Sequence, residues 1–528
     1  MDFVFRRASV VDGSGAPRFV ADVGVADGRI AAIEPPGTVS AVRVVDATDL
    51  VLAPGFIDMH SHSDLRLLAE PGHLAKVSQG VTLEVLGQDG LSYAPVNDEV
   101  LATLRDQLAG WNGDPDGFDW NWRSVGEYLD RLDRGIAVNA AYLVPQGTLR
   151  MLHVGWENRK PTDDELAAMC ATLALSMREG AVGLSSGLTY TPGMYADDDE
   201  LATLCAVVGE QGGYYSPHHR SYGAGALRAF AEMIEVSRRS GCPLHLAHAT
   251  MNFPENAGRA DELLTLLDEA TAEGADITLD TYPYLPGATY LSALLPSWAT
   301  EGGPQRTMAR LSDPDTRELI RVAIEEHGSD GCHGVPVDWD WIEINCVRNE
   351  RNAHLVGHTV ADSARHVGIQ PSELFFSTLI ADNLGTSCLM HVGDEHNVRT
   401  IMRHHTHTAG SDGLLCGERP HPRGWGTFPR YLGHYVRELG VLSLEECVAH
   451  LTGRAADRLR LTGRGRVTLG NAADLVLFDP DTIADRATFD EPRQPAAGIE
   501  YVLVNGVPTL DDARPTGALP GRAIRKQN

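Results

Sequence analysis

The sequence predicts an α/β fold: a (β/α)8 TIM-like barrel, a small β-sandwich built from both termini, and an insertion between barrel strands seven and eight. Three features point to it. Short apolar strands alternate with helical segments through the middle of the chain, and eight of them end at Asp58, Leu86, Val144, Ser186, His218, His248, Asp280 and Ser411. Eight βα units in succession argue for a closed parallel barrel. The two ends of the chain instead alternate polar and apolar residues over short spans, as antiparallel strands do. Finally, the interval from Asp280 to Ser411 is too long for one crossover, so it must hold a subdomain of its own.

In order, residues 1–53 place strands near 3–5, 23–25, 30–33 and 42–45, with turns at Asp12-Gly13, Asp27-Gly28 and Pro35-Pro36-Gly37. Residues 463–528 repeat the pattern at 473–479 and 499–506. Neither end is long enough to bury its own core, so the two are expected to form one sandwich. Residues 54–462 form the barrel, with strands at 80–86, 136–144, 181–186, 243–248 and 275–282. A helix opens at Thr162, where Glu165 completes a capping box, and stops at Gly180. Segments 224–240 and 260–273 repeat the scheme before Gly241 and Gly274, and Ser443 with Glu446 opens a late helix. Residues 286–350 are expected to form the inserted, lid-like subdomain. The stretch from Trp111 to Trp122, with Gly113, Pro115 and Gly117, reads as a long loop near the barrel mouth.

A chain of 528 residues exceeds one core and suggests two or three domains. Its 72 acidic against 44 basic residues give a net charge of −28, which argues against nucleic acid and anionic membrane as partners. No apolar run approaches the ~20 residues of a membrane span, and Asp2, Arg6 and Arg7 interrupt any leader-like start. Eight cysteines lie scattered without Cys-x-x-Cys spacing, which suits a reducing cytoplasm. A cytoplasmic enzyme with a small-molecule partner is expected. The sequence is silent on oligomeric state.

The chemistry begins at 54–64, Pro-Gly-Phe-Ile-Asp-Met-His-Ser-His-Ser-Asp. Strand side chains alternate, so His60 and His62 share a face at a strand's carboxyl end, where barrel enzymes carry their reactive groups. Later strand ends supply Gln88 and Asp89, Gln146, Tyr190, His218, His248, Asp280 and Tyr282, and Asp412. Singly, each has an ordinary explanation: a core histidine, a helix cap at Asp280, a turn residue in Ser411-Asp412-Gly413. Together, three strands that deliver histidine and one that delivers aspartate describe a divalent metal site. A metal held by them would lower the pKa of its water to about 7. Asp412 beside it can take that proton and pass it to a leaving nitrogen.

The 54–62 motif resembles the signature of the amidohydrolase superfamily. Further stretches are similar to its D-aminoacylase (N-acyl-D-amino-acid deacylase) branch: 183–193 (GLSSGLTYTPG), 280–284 (DTYPY), 410–413 (GSDG), 421–423 (HPR), 426–433 (GTFPRYLG) and 470–480 (GNAADLVLFDP). The resemblance covers nearly the whole chain. It implies hydrolysis of the amide of N-acyl-D-amino acids with zinc, as one or two divalent ions. It implies metal ligands at His60, His62, His218 and His248, and a general acid/base at Asp412, itself next to the metal. It also implies contacts to the substrate carboxylate from Tyr190, Tyr282 and Arg423; a guanidinium fork suits a carboxylate.

The departures are as informative. Where the family has Asn-Cys-Gly after strand two, this chain has Gln88-Asp89-Gly90. Asp89 is expected to ligate in place of the thiolate, and as a harder ligand it opens the site to a divalent metal other than zinc. Gly-His-Gly after strand three is here Pro145-Gln146-Gly147, and the lysine following the strand-six histidine is replaced in Ala249-Thr250. Loss of that cation argues against an acidic substrate side chain. His219 is given no role. The altered residues leave hydrolysis of a cyclic amide or imide open, and a non-catalytic barrel scaffold is the remaining alternative.

Overall fold

The structure is a computed structural model that describes residues 1–526. Eight parallel strands form one sheet in chain order: Phe56–Asp58, Val81–Leu86, Asn139–Pro145, Gly183–Gly187, Tyr214–His218, Leu244–Leu246, Ile277–Thr281 and His407–Ala409. Strand two is buried at every position and strand three likewise, as expected for a barrel wall covered on both faces. The first and eighth strands meet just beyond their ends. Met59 N–H donates to the Ala409 carbonyl at 3.0 Å, and Asp412 N–H to the His60 carbonyl at 2.8 Å. The barrel thus closes at its carboxyl end through the segments that carry His60, His62 and Asp412.

Helix signals act where the sequence places them. Both halves of the Thr162–Glu165 capping box form ahead of Asp163–Arg178, and Ala226–Ser240 ends on Gly241 at φ +65°. Ser443 accepts the Glu446 N–H at 3.2 Å.

The termini join as expected, but as a single nine-stranded mixed sheet. Val51–Pro54 pairs antiparallel with Leu475–Phe478, tying the N-terminal strands to the C-terminal ones. One face buries Phe5, Val23, Leu52, Leu475 and Leu503 in a core of its own. On the other face Val476, Phe478, Val502 and Val504 pack into the barrel core. The period-two alternation seen in these strands is thus two buried faces meeting different partners.

Between strands seven and eight lies a four-stranded antiparallel sheet of Gly287–Tyr290, Ser387–Met390, Ile342–Cys346 and His358–Thr359. It has its own core, including Leu291, Ile320, Ile344, Phe375 and Leu379. The inserted sheet extends to Met390, well past residue 350, because its first strand finds its partner only when the chain returns at Ser387. Within the expected Trp-rich loop, Ala109–Asn112 is a short helix that buries Trp111, whose ring lies 4.7 Å from that of His62. No helix among the described residues is long and apolar enough to cross a membrane, and all eight cysteines are free.

Candidate metal centre

The site is built where the strands end and the backbone turns sharply. Gly87, at φ +74°, leaves strand two so close to strand three that a Cβ there would lie 2.1 Å from the Leu143 carbonyl oxygen. That turn delivers Asp89 into the barrel mouth. Opposite it, a Cβ on Gly410 would lie 2.6 Å from the His60 Cβ, so only glycine lets strand eight approach the first histidine. Asp89, His248 and Asp412 themselves adopt positive φ, at 54°, 29° and 48°. Such conformations cost about 1–3 kcal/mol each and persist where surrounding packing enforces them, most often at functional sites.

Four histidines converge on the Asp89 carboxylate. His60 Nε2 and His248 Nε2 each lie 3.4 Å from Oδ1, and His62 Nε2 and His218 Nδ1 each lie 3.4 Å from Oδ2. Asp412 Oδ1 sits 3.1 Å from His62 Nε2 and 3.8 Å from His60 Nε2. Two ligand-like groups result, one of His60, His62, Asp89 and Asp412, the other of Asp89, His218 and His248, with Asp89 common to both.

A second layer orients these rings. Thr189 Oγ1 lies 2.6 Å from His218 Nε2, and Tyr222 hydroxyl lies 2.8 Å from His248 Nδ1. Asp280 accepts the His248 backbone N–H at 3.0 Å and is 2.9 Å from His245 Nε2, rather than capping a helix. Beneath the first strand, Lys76 is fully buried between Asp58 (2.5 Å) and Glu84 (3.1 Å) and donates to Ser411 Oγ at 2.7 Å. Asp58 in turn accepts the backbone N–H of Ser411 at 2.7 Å. Asp412 is therefore held through its neighbour by a buried ionic network.

Opposite charges at the centre hold one another ionised. Burial pushes the Asp89 carboxyl upward, but His218, His60 and His248 outweigh it and hold it well below the usual carboxylate range. Asp412 behaves alike, with Arg423 and His62 overcoming burial. Burial lowers His62, yet Asp412 and Asp89 more than offset it and push it up to about 10. The donors fit a divalent ion: imidazole nitrogens and carboxylate oxygens, of which His60 Nε2 and Asp89 Oδ1 are buried without any hydrogen-bond partner.

The other sequence-selected residues divide. Tyr190 and Tyr282 line the same pocket as Asp89 and Asp412. Tyr190 hydroxyl meets Thr289 Oγ1 at 3.0 Å, and the Arg423 guanidinium stacks 4.5 Å from the Tyr282 ring centroid. Arg423 is fully buried and donates to Asp412 Oδ2 at 2.9 Å, while its Nε and Nη1 have no partner. Gln88 and Gln146 face elsewhere: Gln88 donates to the Met59 carbonyl at 2.7 Å, and Gln146 to Glu200 at 2.9 Å. His219 is buried, its ring 4.1 Å from that of Tyr222 and 4.0 Å from that of Phe230. Sequence reasoning passed over Thr189, Tyr222, Lys76 and Glu84. Only Glu84 carried a signal, a charge inside an otherwise apolar strand.

Comparison with known proteins identifies the family. A family model described as the amidohydrolase family matches residues 43–510. The chain is 35% identical to a D-aminoacylase of Alcaligenes xylosoxydans xylosoxydans, over 99% of this chain and 98% of that one. It is also 35% identical to an N-acyl-D-glutamate deacylase of the same organism, over 100% and 97%. The crystal structure of N-acyl-D-glutamate deacylase from Bordetella bronchiseptica, complexed with zinc and a phosphonate mimic of the tetrahedral intermediate, superposes with a TM-score of 0.85 at 33% identity, over 100% of both chains.

Proposed function

The chain belongs to the amidohydrolase family, and on that footing we propose that it hydrolyses the amide bond of N-acyl-D-amino acids. Zinc, or a related divalent metal, as one or two ions, would be held by His60, His62, Asp89, His218, His248 and Asp412. When bound, such an ion supplies Lewis acidity and brings the pKa of water to about 7.

The chain's own residues then do the following. Asp412 has its Oδ2 engaged by Arg423, which leaves Oδ1 to accept the proton of the attacking water and to return it to the leaving nitrogen. Arg423, buried behind Tyr282 with Nε and Nη1 unpaired, would supply the positive charge that draws the substrate carboxylate. Tyr282, stacked on that guanidinium, and Tyr190, across the pocket, hold the substrate against Asp412. The insertion contributes Ala288, Thr289 and Leu294 to the pocket wall.

One observation carries this reading: a buried carboxylate stands between a histidine–aspartate cluster and a buried arginine with donors to spare. This couples a hydrolytic centre to a receptor for one negative charge. The D configuration is inferred from the relatives. The test is a panel of N-acetyl-D- and N-acetyl-L-amino acids with hydantoin rings, using zinc-loaded protein. Release of acetate from D substrates alone is expected. Ring opening without deacylation would replace the proposal with a cyclic amidase.

A further inference from the structure

We propose that this site takes N-acyl-D-amino acids whose side chain is uncharged, and that Thr250, Phe253 and Leu294 set this preference; the inference rests on the deacylase reading above. The two curated relatives differ here, since one is a D-aminoacylase and the other acts by name on N-acyl-D-glutamate, and both are 35% identical to this chain. Identity does not choose between them. The pocket does.

Beyond the histidine–aspartate cluster, the pocket wall comes from two sources. Thr250, Asn252 and Phe253 lie in the turn after strand six, and Leu294, His333 and Met390 belong to the insertion. No lysine or arginine is among the described residues that line it. Arg423, stacked on the pocket residue Tyr282, is bonded to Asp412, and its remaining donors suffice for one carboxylate. Every N-acyl amino acid brings that one carboxylate already. A second, from aspartate or glutamate, would meet apolar carbon, neutral hydroxyls and the Asn252 amide, with no cation in the wall to pair it. His333 offers no relief, because burial pushes it down to about 3 and leaves it neutral at physiological pH. Burying an ion with no partner is strongly unfavourable, whereas an aliphatic or amide side chain finds matching surface.

The decisive pair is N-acetyl-D-glutamine and N-acetyl-D-glutamate, which match in shape and differ in charge. With zinc-loaded protein, kcat/KM for the glutamine compound, and for N-acetyl-D-leucine, is expected to exceed that for glutamate by about tenfold or more. Thr250→Lys places a cation in the wall and is expected to shift the glutamate-to-glutamine ratio at least about tenfold toward glutamate. Glutamate cleaved as well as glutamine by the unaltered protein would overturn this inference and leave the deacylase reading standing. Cleavage of no N-acyl-D-amino acid would overturn both.

Discussion

Asp412 divides its two carboxylate oxygens between opposite partners: Oδ2 accepts from Arg423 Nη2 at 2.9 Å, and Oδ1 lies 3.1 Å from His62 Nε2. The arginine fixes the plane of the carboxylate, so the oxygen on the cluster side is the one available to move a proton. Asp412→Asn keeps an oxygen for Arg423 but cannot accept that proton. We expect the variant to retain zinc, measured by elemental analysis, and to lose turnover by about a thousandfold, within the range typical of a general acid/base. Activity within tenfold of the unaltered enzyme would remove Asp412 from this role.

Asp89 is the residue on which the four histidines converge, each at 3.4 Å. If it ligates, Asp89→Ala takes away the one carboxylate common to both ligand groups and leaves imidazoles crowded together without a counter-charge. Bound metal after dialysis should fall by at least one equivalent per chain, or at least about tenfold in affinity. Metal content equal to that of the unaltered protein would show that Asp89 only screens the histidines.

What was legible in the sequence was what strand periodicity exposes. His60, His62, His218 and His248 lie at or just past strand ends, so the barrel order alone gathers them, and Asp412 follows from the eighth strand. The residues that orient them were not legible, because Tyr222 and Thr189 sit in loops whose path no local pattern determines. Gln88 and Gln146 looked like changes near the chemistry but turn away from it, since a strand-end position fixes the Cα and not the rotamer. The far limit of the insertion was hidden for a different reason. Pairing of Gly287–Tyr290 with Ser387–Met390 spans a hundred residues, and such non-local pairing leaves no trace in either segment.

Lys76 is the clearest case of a residue whose importance only the fold reveals. It lies in a short helix, fully buried, between Asp58 and Glu84. Lys76→Met would leave Asp58 buried without its cation and Glu84 with His73 alone, and breaking a buried pair in this way typically costs about 3–5 kcal/mol. Urea unfolding of the metal-loaded protein should show a loss of that order. Adding Asp58→Asn to the Lys76→Met background should recover part of it, because the charge left without a cation is then gone. A single variant as stable as the unaltered protein would mean that the network is not coupled to folding.

The same network makes an acid-dependent contribution with a defined sign. Burial raises the Glu84 carboxyl, but His73, whose Nε2 is 2.8 Å from Oε2, and Lys76 outweigh it and lower the folded value from 4.5 to about 2. A carboxyl whose pKa is depressed on folding stabilises the protein above its unfolded value, and that stabilisation is lost as pH falls toward the folded value. Glu84→Gln, which lacks this term, should therefore be less stable than the unaltered protein at pH 7. The gap in urea midpoint should hold down to about pH 5 and narrow steadily between about pH 4.5 and 2.5. A gap that stays constant across that window would mean that Glu84 contributes by packing and hydrogen bonding to Ser61 and Ser63, at 3.0 and 3.2 Å, and not by its charge.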